Sequence, residues 1–286
     1  MIVAMKTNVL QAIANIVQNP KNELTKEYKS INRINSVGDA LEFYVKDAFC
    51  GTLQERRRAK KDKIYAHHFS YIGNQNNPPD VIIRGGDAFE IKKVVGLRSG
   101  LALNSSYPKD KLYSDDPMLL RACRDCEEWD VKDHVYVLGV VPESKIKALW
   151  FVYGDCYAAE RSTYERVKEK IINGVKEIRG VELSKTVELG KVKRVDPLGI
   201  TILRVRGLWH IETPVKVFEH LGAINEKADF NLVALMKKEK YMSFPQKLRG
   251  GIESLGRAGL KIKDVDIKSP NNPAQILDAK LITYSK

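Results

Sequence analysis

Two acidic residues and a lysine in one short segment have the types and spacing for metal-dependent chemistry. They are Asp80, Glu90 and Lys92, in the stretch NNPPDVIIRGGDAFEIKKVVG, where two β-rich runs flank a glycine turn. Mg²⁺ prefers one or two carboxylates together with water and phosphate oxygens. A bound metal can activate water and stabilise the charge on a phosphodiester under attack. The segment therefore predicts Mg²⁺-dependent phosphodiester hydrolysis, with Asp80 and Glu90 as metal ligands and Lys92 acting on the water or the transition state.

The turn between the two runs decides whether these side chains share a face. A two-residue turn, Gly85-Gly86, would point Asp80 away from Glu90, because side chains alternate along a strand. A three-residue loop, Gly85-Gly86-Asp87, would instead pair Asp80 with Lys92 and place all three candidates on one face. Three-residue hairpin loops with a left-handed glycine are common, so we predict that loop or an equivalent bulge. An ordinary hairpin with surface charges is the alternative interpretation.

The chain is strongly basic. Its 286 residues include 48 Lys and Arg against 36 Asp and Glu, a formal net charge of +12 at pH 7. Such an excess indicates a polyanionic partner, because released counterions drive the binding. A merely basic protein or an anionic-membrane binder would also be basic. However, no basic amphipathic helix stands out and no apolar run approaches a membrane span. The composition therefore favours a nucleic-acid partner and no membrane association.

The cysteines do not form a disulfide framework in a chain of this length; they are Cys50, Cys123, Cys126 and Cys156. The CxxC of Cys123 and Cys126 would need two further ligands at suitable spacing to bind zinc. Both lie on an apolar helical stripe with Leu119, which favours buried structural cysteines. No secretory signal is visible at the start of the sequence. We therefore expect reduced cysteines and a cytoplasmic protein.

Apolar periodicity predicts an α/β protein. Apolar residues at helical spacing predict one helix beginning near Val9 and a second over Val37–Phe49. The apolar runs His134–Val141 and Ala148–Tyr153 are typical of buried central strands. Later segments alternate between helix and strand, which predicts a sheet covered by helices. The length permits one large domain or two small ones.

The second half of the chain carries further predicted elements. Asp116 and Pro117 indicate the start of a helix. A long helix after Ser162 should turn six apolar residues inward: Tyr164, Val167, Ile171, Ile172, Val175 and Ile178. A strand is predicted at Ile200–Val205. We predict a catalytic core with N-terminal helices over residues 1–212. Residues 213–286 should form a C-terminal subdomain that wraps the core or contacts DNA.

Two segments are candidates for direct contact with DNA. The charged run from Arg56 to Lys63 is either a solvated loop or a phosphate-binding segment, with Arg56, Arg57 and Arg58 as its strongest candidates. The polar segment Leu97–Tyr113 is either a plain connector or a base-reading loop. Its base-reading candidates are Arg98, Asn104, Ser105, Ser106 and Lys109, and Lys111 is expected to hold a phosphate.

Three stretches of the sequence resemble a known nuclease family. They are INRINSVGDALEFYVKDAFC at residues 31–50, NNPPDVIIRGGDAFEIKK and LALNSSYPKDKLY. Together they resemble the NgoPII family of restriction endonucleases, within the PD-(D/E)xK nucleases, and the resemblance runs across most of the chain. Asp80, Glu90 and Lys92 match the nuclease motif. Glu42 matches the auxiliary acid that such enzymes often carry on an early helix; a solvated helix acid is the alternative.

The resemblance implies both a fold and an activity. The fold is a restriction-endonuclease-like α/β architecture, a mixed sheet flanked by helices, with a C-terminal extension. The activity is that of a type II restriction endonuclease, a homodimer that cuts double-stranded DNA with Mg²⁺ at the palindrome GGCC.

Two other functions remain open at this point. A structure-specific or repair nuclease would use the same motif, although the long polar segment and the separate tail favour sequence-specific cutting. A non-enzymatic DNA-binding protein would account for the positive charge. It would not require Asp80 and Glu90, which repel phosphates unless a metal intervenes.

Overall fold

A computed structural model gives the fold of residues 7–24, 37–74, 77–179, 182–186 and 188–286. The helices are α1 (Val9–Gln18), α2 (Val37–Cys50), α3 (Arg58–His68), α4 (Arg121–Arg124), α5 (Gly154–Tyr157), α6 (Arg161–Lys176), α7 (Pro214–Val217), α8 (Lys238–Ser243) and α9 (Gln246–Glu253). The strands are β1 (Phe69–Asn74), β2 (Asn77–Ile83), β3 (Ala88–Val94), β4 (Leu101–Asn104), β5 (Lys111–Tyr113), β6 (Val131–Val140), β7 (Ala148–Tyr153), β8 (Glu182–Leu183), β9 (Gly190–Lys193), β10 (Ile202–Val205), β11 (Trp209–Ile211), β12 (Asn231–Lys237), β13 (Leu260–Lys268) and β14 (Ile276–Ser285).

The large sheet is mixed and forms the centre of the molecule. Its strand order is β1-β2-β3-β6-β7-β12-β14-β13, with β5 paired to β6. The pairs β3–β6 and β7–β12 are parallel, and the other neighbours are antiparallel. Strand β7 is buried along its whole length, as is β6 from His134 onward. The predicted mixed α/β sheet flanked by helices is confirmed, as are its two apolar central strands.

Helices α1 and α2 pack together, and α2 packs against β3 of the sheet. Asn8 caps α1, because its side chain accepts a hydrogen bond from the backbone N–H of Gln11 at 3.1 Å. The apolar residues of α2 follow helical spacing and are buried against the core. The ring of Phe49 lies 4.5 Å from that of Phe89 on β3. Helix α2 is therefore fixed against the strand that carries Glu90.

The C-terminal segment is an integral part of the sheet. Strand β12 pairs in parallel with β7, and β14 and β13 extend the sheet beyond it. The predicted boundary at residue 212 therefore does not separate two sheets. Strand β12 is apolar from Leu232 to Met236 and is buried there, because it lies between β7 and β14 rather than on a separate surface. Contact between this segment and DNA stays a prediction.

The long helix α6 differs from the prediction. It spans Arg161–Lys176, so the predicted stripe residue Ile178 lies beyond its end, and none of its residues is buried. Val167 and Ile171 are 42% and 41% exposed. The helix packs beside a separate small sheet of order β10-β9-β8, which also contains the predicted strand near Ile200. The stripe is apolar as expected, but the large sheet does not cover it.

The polar segment and the CxxC region also need correction. The segment Leu97–Tyr113 contains two strands, because β4 pairs with β11 and β5 pairs with β6. Asp116 does not cap a helix; its side chain accepts from the N–H of Met118 at 2.8 Å in a turn, and α4 is a single helical turn further on.

Cys123 is buried, and all four cysteines are free. No helix in the described part of the chain has the length and apolar character needed to span a bilayer.

Candidate active site

A hairpin of β2 and β3 carries the two acidic candidates. Backbone pairing between these strands is confined to Val81 with Phe89 and Ile82 with Ala88. The hairpin loop is Arg84–Gly86, and Gly85 is left-handed with φ of 61°. The loop has the predicted length but begins one residue earlier than predicted. The reason is that the carbonyl of Asp87 accepts from the N–H of Ile83 at 3.0 Å, which makes Asp87 part of the ladder.

The corrected register still brings the acids together. The predicted pairing of Asp80 with Lys92 is wrong, since continuing the observed register places Asp80 opposite Glu90. The residue opposite Asp80 is thus Glu90 and not Lys92. Because these two are two positions apart on β3, their side chains lie on the same face of the strand. The shared face expected for Asp80 and Glu90 is therefore compatible with the observed register.

The carboxyl group of Asp80 is turned toward the backbone of β3. Its Oδ2 accepts a hydrogen bond from the N–H of Ile91 at 2.5 Å. Burial raises the pKa of Asp80 well above its usual value, and the charge of Glu90 raises it further, while the Ile91 N–H opposes both effects. A bound cation would favour the ionised form of this carboxyl group.

Glu90 and Lys92, two residues apart on β3, form an ion pair. The Nζ of Lys92 lies 2.6 Å from Oε1 of Glu90. Burial lowers the pKa of Lys92, but the attraction of Glu90 and then Asp80 outweighs it, so the pKa is raised. Lys92 is therefore positively charged at neutral pH and is aimed at the carboxylates.

Helix α2 brings two further charged groups toward this pair. Burial raises the pKa of Glu42, and the negative charge of Glu90 adds to that effect while Lys46 opposes it. The Nζ of Lys46 lies 3.6 Å from Oε2 of Glu42. Lys46 has no role in the sequence-based prediction, because a lysine one turn beyond an acid on a helix is usually a surface ion pair. Here its side chain is only 8% exposed.

One glycine sets how closely α2 approaches the sheet. A Cβ atom on Gly139 of β6 would lie 2.5 Å from the side chain of Leu41, which is fully buried. Leu41 precedes Glu42, so the contact that Gly139 permits also fixes the depth of Glu42. A larger residue at Gly139 would move the helix away from the hairpin.

The carboxylates fit a Mg²⁺ ion. Oε2 of Glu90 is buried and has no hydrogen-bond partner among the described residues, which is costly unless another group binds it. The same part of the chain contains no group of three or more metal-ligating side chains. Asp80 and Glu90 would therefore be supplemented by water and phosphate oxygens, the arrangement that Mg²⁺ prefers.

The polar segment reaches the edge of this site. Ser106 and Tyr107 line a cavity of about 10 Å³ together with Glu90 and the buried His134. Burial lowers the pKa of His134 to about 3, so this histidine is neutral. Asn104 and Ser105 are exposed at the end of β4, and Asn104 has a φ of 52°, a left-handed conformation that Asn tolerates well.

The predicted DNA-contacting residues of this segment fall into two groups. Arg98 is 69% exposed and pairs with Glu219, which is also exposed. Lys109 is only 4% exposed and its ammonium is paired with Asp116. The base-reading role predicted for Lys109 is therefore not supported, because its donors are engaged inside the protein.

Lys111 and the arginine run have different surroundings. Lys111 is 31% exposed and is paired with Asp133 and, at 3.6 Å, with Asp155. Arg56 is exposed, and Arg57 is held by Glu55 at 3.2 Å. Arg58 begins α3, pairs with Asp62 at 2.8 Å and lies 4.3 Å from the ring of Phe43. The run is thus the end of a loop and the first turn of a helix.

Comparison with known proteins assigns the chain to a family. The family model described as NgoPII restriction endonuclease matches residues 7–268. The chain is 45% identical over 280 residues to the type II restriction enzyme NgoPII of Neisseria gonorrhoeae, which covers 97% of this chain and 99% of that protein. No solved structure matches the chain. The chain therefore belongs to the NgoPII restriction endonuclease family and is a type II site-specific endonuclease.

Proposed function

We propose that this enzyme makes Mg²⁺-dependent double-strand cuts in DNA at the palindrome GGCC. The observation that carries the proposal is the meeting of Asp80, Glu90 and Lys92 on one hairpin, with a Glu90 oxygen that lacks a hydrogen-bond partner in the described residues. Family membership supports the cutting of DNA. The motif resemblance supports GGCC as the target.

Each residue has a separate role in this proposal. Asp80 and Glu90 would hold the metal through their carboxylate oxygens. A Mg²⁺ ion would there lower the pKa of a water molecule and balance charge on the phosphate. Lys92, already beside Glu90, orients the attacking water or donates to a phosphate oxygen. Glu42 acts as the auxiliary acid from α2, within electrostatic reach of Glu90.

Plasmid cleavage by the wild type and three variants tests these roles. With Mg²⁺, discrete bands are expected from the wild type, whereas a smear would indicate a nonspecific nuclease and an intact plasmid a DNA binder. Asp80→Asn, Glu90→Gln and Lys92→Met should each abolish cutting while specific binding remains, because base and phosphate contacts lie elsewhere. Wild-type cleavage rates in Asp80→Asn or Glu90→Gln would falsify the assignment.

Base reading is proposed for four residues of the polar segment that are not buried, Arg98, Asn104, Ser105 and Ser106. Guanine O6 and N7 are best recognised by an arginine or lysine, so Arg98→Ala should cost about 1–3 kcal/mol at one base pair. Phosphate contact is proposed for Arg56, Arg57, Arg58 and Lys111. Arg56→Ala should weaken binding to all sequences and reduce the salt slope by about one. If no change at Arg98 or at the other three residues proposed for base reading alters site preference, base reading lies elsewhere.

The assembly and location follow from the same proposal. A palindrome presents two scissile phosphates related by a twofold axis, and a C2 dimer places one active site at each. We therefore propose a homodimer on double-stranded DNA. A cytoplasmic location is proposed as well, since the substrate is there and the four cysteines are free.

A further inference from the structure

Lys46 is a buried lysine close to the candidate metal site. It lies one helical turn beyond Glu42 on α2, and its side chain is 8% exposed. Besides Glu42, its ammonium faces the ring of Phe43, with 4.6 Å from Nζ to the ring centroid. Burial lowers the pKa of Lys46, while the charges of Glu42 and Asp80 raise it and that of Arg58 lowers it. The geometric link between Lys46 and the site is its ion pair with Glu42, the candidate auxiliary acid.

The pairing of Lys46 differs from that of the other buried lysines. Four lysines are buried in the described part of the chain. Three of them make short contacts with a carboxylate: Lys61 with Asp47, Lys109 with Asp116 and Lys132 with Glu127. Lys46 instead has Glu42 at 3.6 Å, which is longer than an ordinary hydrogen bond. An ammonium has three donors, so Lys46 keeps donors for a further acceptor.

The charge balance of the site indicates what that acceptor is. When all groups are ionised, Asp80, Glu90 and Glu42 carry three negative charges, and Lys92 and Lys46 carry two positive ones. A Mg²⁺ ion changes this balance to one positive charge. A phosphodiester then brings it to zero. Without Lys46, the site with bound metal would have no net charge, and the phosphodiester would then make it negative.

We propose that Lys46 donates a hydrogen bond to a non-bridging oxygen of the scissile phosphate, from the helix side of the site. Lys92 is paired with Glu90 on β3 and Lys46 with Glu42 on α2, so two lysines would enclose the phosphate. This proposal rests on the proposed function, because it requires a phosphodiester beside Asp80 and Glu90. The alternative is that Lys46 only neutralises Glu42 within the helix.

A chemical double-mutant cycle distinguishes these two roles. The DNA is a duplex built around the sequence that the purified protein selects, with or without a methylphosphonate at the scissile position. That substitution replaces one non-bridging oxygen by a methyl group and removes its charge. Binding is measured with Ca²⁺, an oxygen-binding cation with looser geometry than Mg²⁺, and gels confirm that the duplex stays intact. The proteins are wild type, Lys46→Met and Lys46→Arg, with the 66% exposed Lys145→Met as matched control.

The expected result is a coupling between Lys46 and the phosphate. The methylphosphonate should weaken wild-type binding by about 10- to 100-fold, the range of one charge-assisted hydrogen bond. Its penalty should be about 10-fold smaller in Lys46→Met, where the metal and Lys92 still contact the phosphate. Lys46→Arg keeps a donor and should retain most of the coupling, and Lys145→Met should behave as wild type. Equal methylphosphonate penalties in wild type and Lys46→Met would overturn the proposal.

Two further measurements separate a phosphate contact from a structural ion pair. In a Glu42→Gln background, Lys46→Met should still weaken binding; an effect that disappears there would mean that Lys46 acts through Glu42. The Lys46→Met change leaves the carboxylate of Glu42 without its cation, so its melting temperature is compared with that of the double variant in the Glu42→Gln background. Weaker binding that persists in the double variant, where no unpaired carboxylate remains, cannot come from lost stability of the ion pair.

A cleavage measurement separates a failure of this proposal from a failure of the proposed function. In single-turnover reactions with Mg²⁺, Lys46→Met should cut about 100-fold more slowly than wild type. If the wild-type protein does not cut its selected duplex at all, the proposed function fails. The binding cycle still reports on Lys46 in that case, since it requires no cleavage.

Discussion

At the scale of single residues, the folded protein favours the protonated form of the Asp80 carboxyl group. Burial and the charge of Glu90 raise its pKa, while a single backbone N–H opposes them. A folded-state pKa above the unfolded value of about 3.9 means that the folded protein binds the proton more tightly. The contribution of Asp80 to stability is therefore fully present below about pH 4. It is lost as the pH rises through the raised folded pKa.

This sign leads to a prediction for Asp80→Asn. The amide keeps an acceptor for the Ile91 N–H but carries no charge, so without metal the variant should melt higher than wild type at neutral pH. A difference of about 2–4 °C is expected, the shift that 1 kcal/mol produces in a large domain. The difference should shrink as the pH falls toward 4, where Asp80 is protonated.

Calorimetry of both proteins between pH 4 and 8 measures this effect. Adding Mg²⁺ should raise the melting temperature of wild type and leave Asp80→Asn unchanged, because binding to the native state stabilises it. A constant difference at all pH values would contradict the assigned ionisation of Asp80.

Lys109 leads to a second prediction at this scale. Its ammonium and the carboxylate of Asp116 are both buried and paired. Lys109→Met leaves that carboxylate buried without its cation, which should lower the free energy of unfolding by about 3–5 kcal/mol. Site preference in DNA cleavage should be unchanged. Denaturant unfolding measures the first effect and sequencing of cleavage products the second; a changed preference in a fully stable variant would restore Lys109 as a base-reading residue.

At the scale of elements, the hairpin turn is tied to the C-terminal part of the chain. Lys240 on α8 contacts Asp87 at 2.8 Å and Asp133 at 2.5 Å. The hydroxyl of Tyr153 on β7 donates to the other oxygen of Asp87 at 2.7 Å. Asp87 is the first residue after the hairpin loop. Residues far apart in sequence therefore fix the base of the strand that carries Glu90 and Lys92.

Removing this tie should destabilise the fold. Lys240→Met leaves Asp87, which is 9% exposed, with Tyr153 alone and should cost about 3–5 kcal/mol in the free energy of unfolding. Lys238→Met on the same helix is the matched control, because Lys238 is 47% exposed and lies 3.5 Å from Asp264. Its effect should stay within about 0.5 kcal/mol. Urea unfolding of the two variants side by side measures the difference. Equal free energies of unfolding would show that the contact of Lys240 with Asp87 does not stabilise the fold.

The elements that were predictable are those whose signal is local. Apolar periodicity identified α2, β6 and β7, and the glycine turn identified the β2–β3 hairpin. The predicted register of the β2–β3 hairpin was wrong by two residues because Asp87 has the sequence character of a loop residue. Its contacts with Lys240 and Tyr153, from distant segments, hold it where it can pair with Ile83.

The elements that were not predictable depend on contacts between distant segments. The apolar stripe of α6 does not reveal whether another element will cover it, and Val167 remains 42% exposed. Strand β4 takes β11 as its partner, more than a hundred residues later. Lys46 follows the apolar residues Phe43, Tyr44 and Val45, and Lys109 lies in the polar stretch SSYPKDK. Only the fold shows that both lysines are buried. Burial of a charged residue therefore has to be established from the structure.

At the scale of the whole molecule, one chain provides one copy of the proposed catalytic hairpin. The β2–β3 hairpin occurs once in the large sheet, so each chain contributes a single Asp80 and a single Glu90. Cutting both strands at the proposed palindrome then requires two chains, or one chain that dissociates and acts again. In a C2 dimer each active site addresses its own strand.

Mixed dimers test this arrangement directly. Wild-type and Asp80→Asn chains with different affinity tags are produced together, and random pairing gives about half heterodimers. Two successive affinity steps isolate them. Each heterodimer has one competent site, so supercoiled plasmid should accumulate as the nicked circle, whereas a doubly tagged wild-type dimer should yield linear DNA. Failure of the two tags to copurify in the presence of cognate duplex would contradict the dimer. Rapid linearisation by the heterodimer would show that one site cuts both strands.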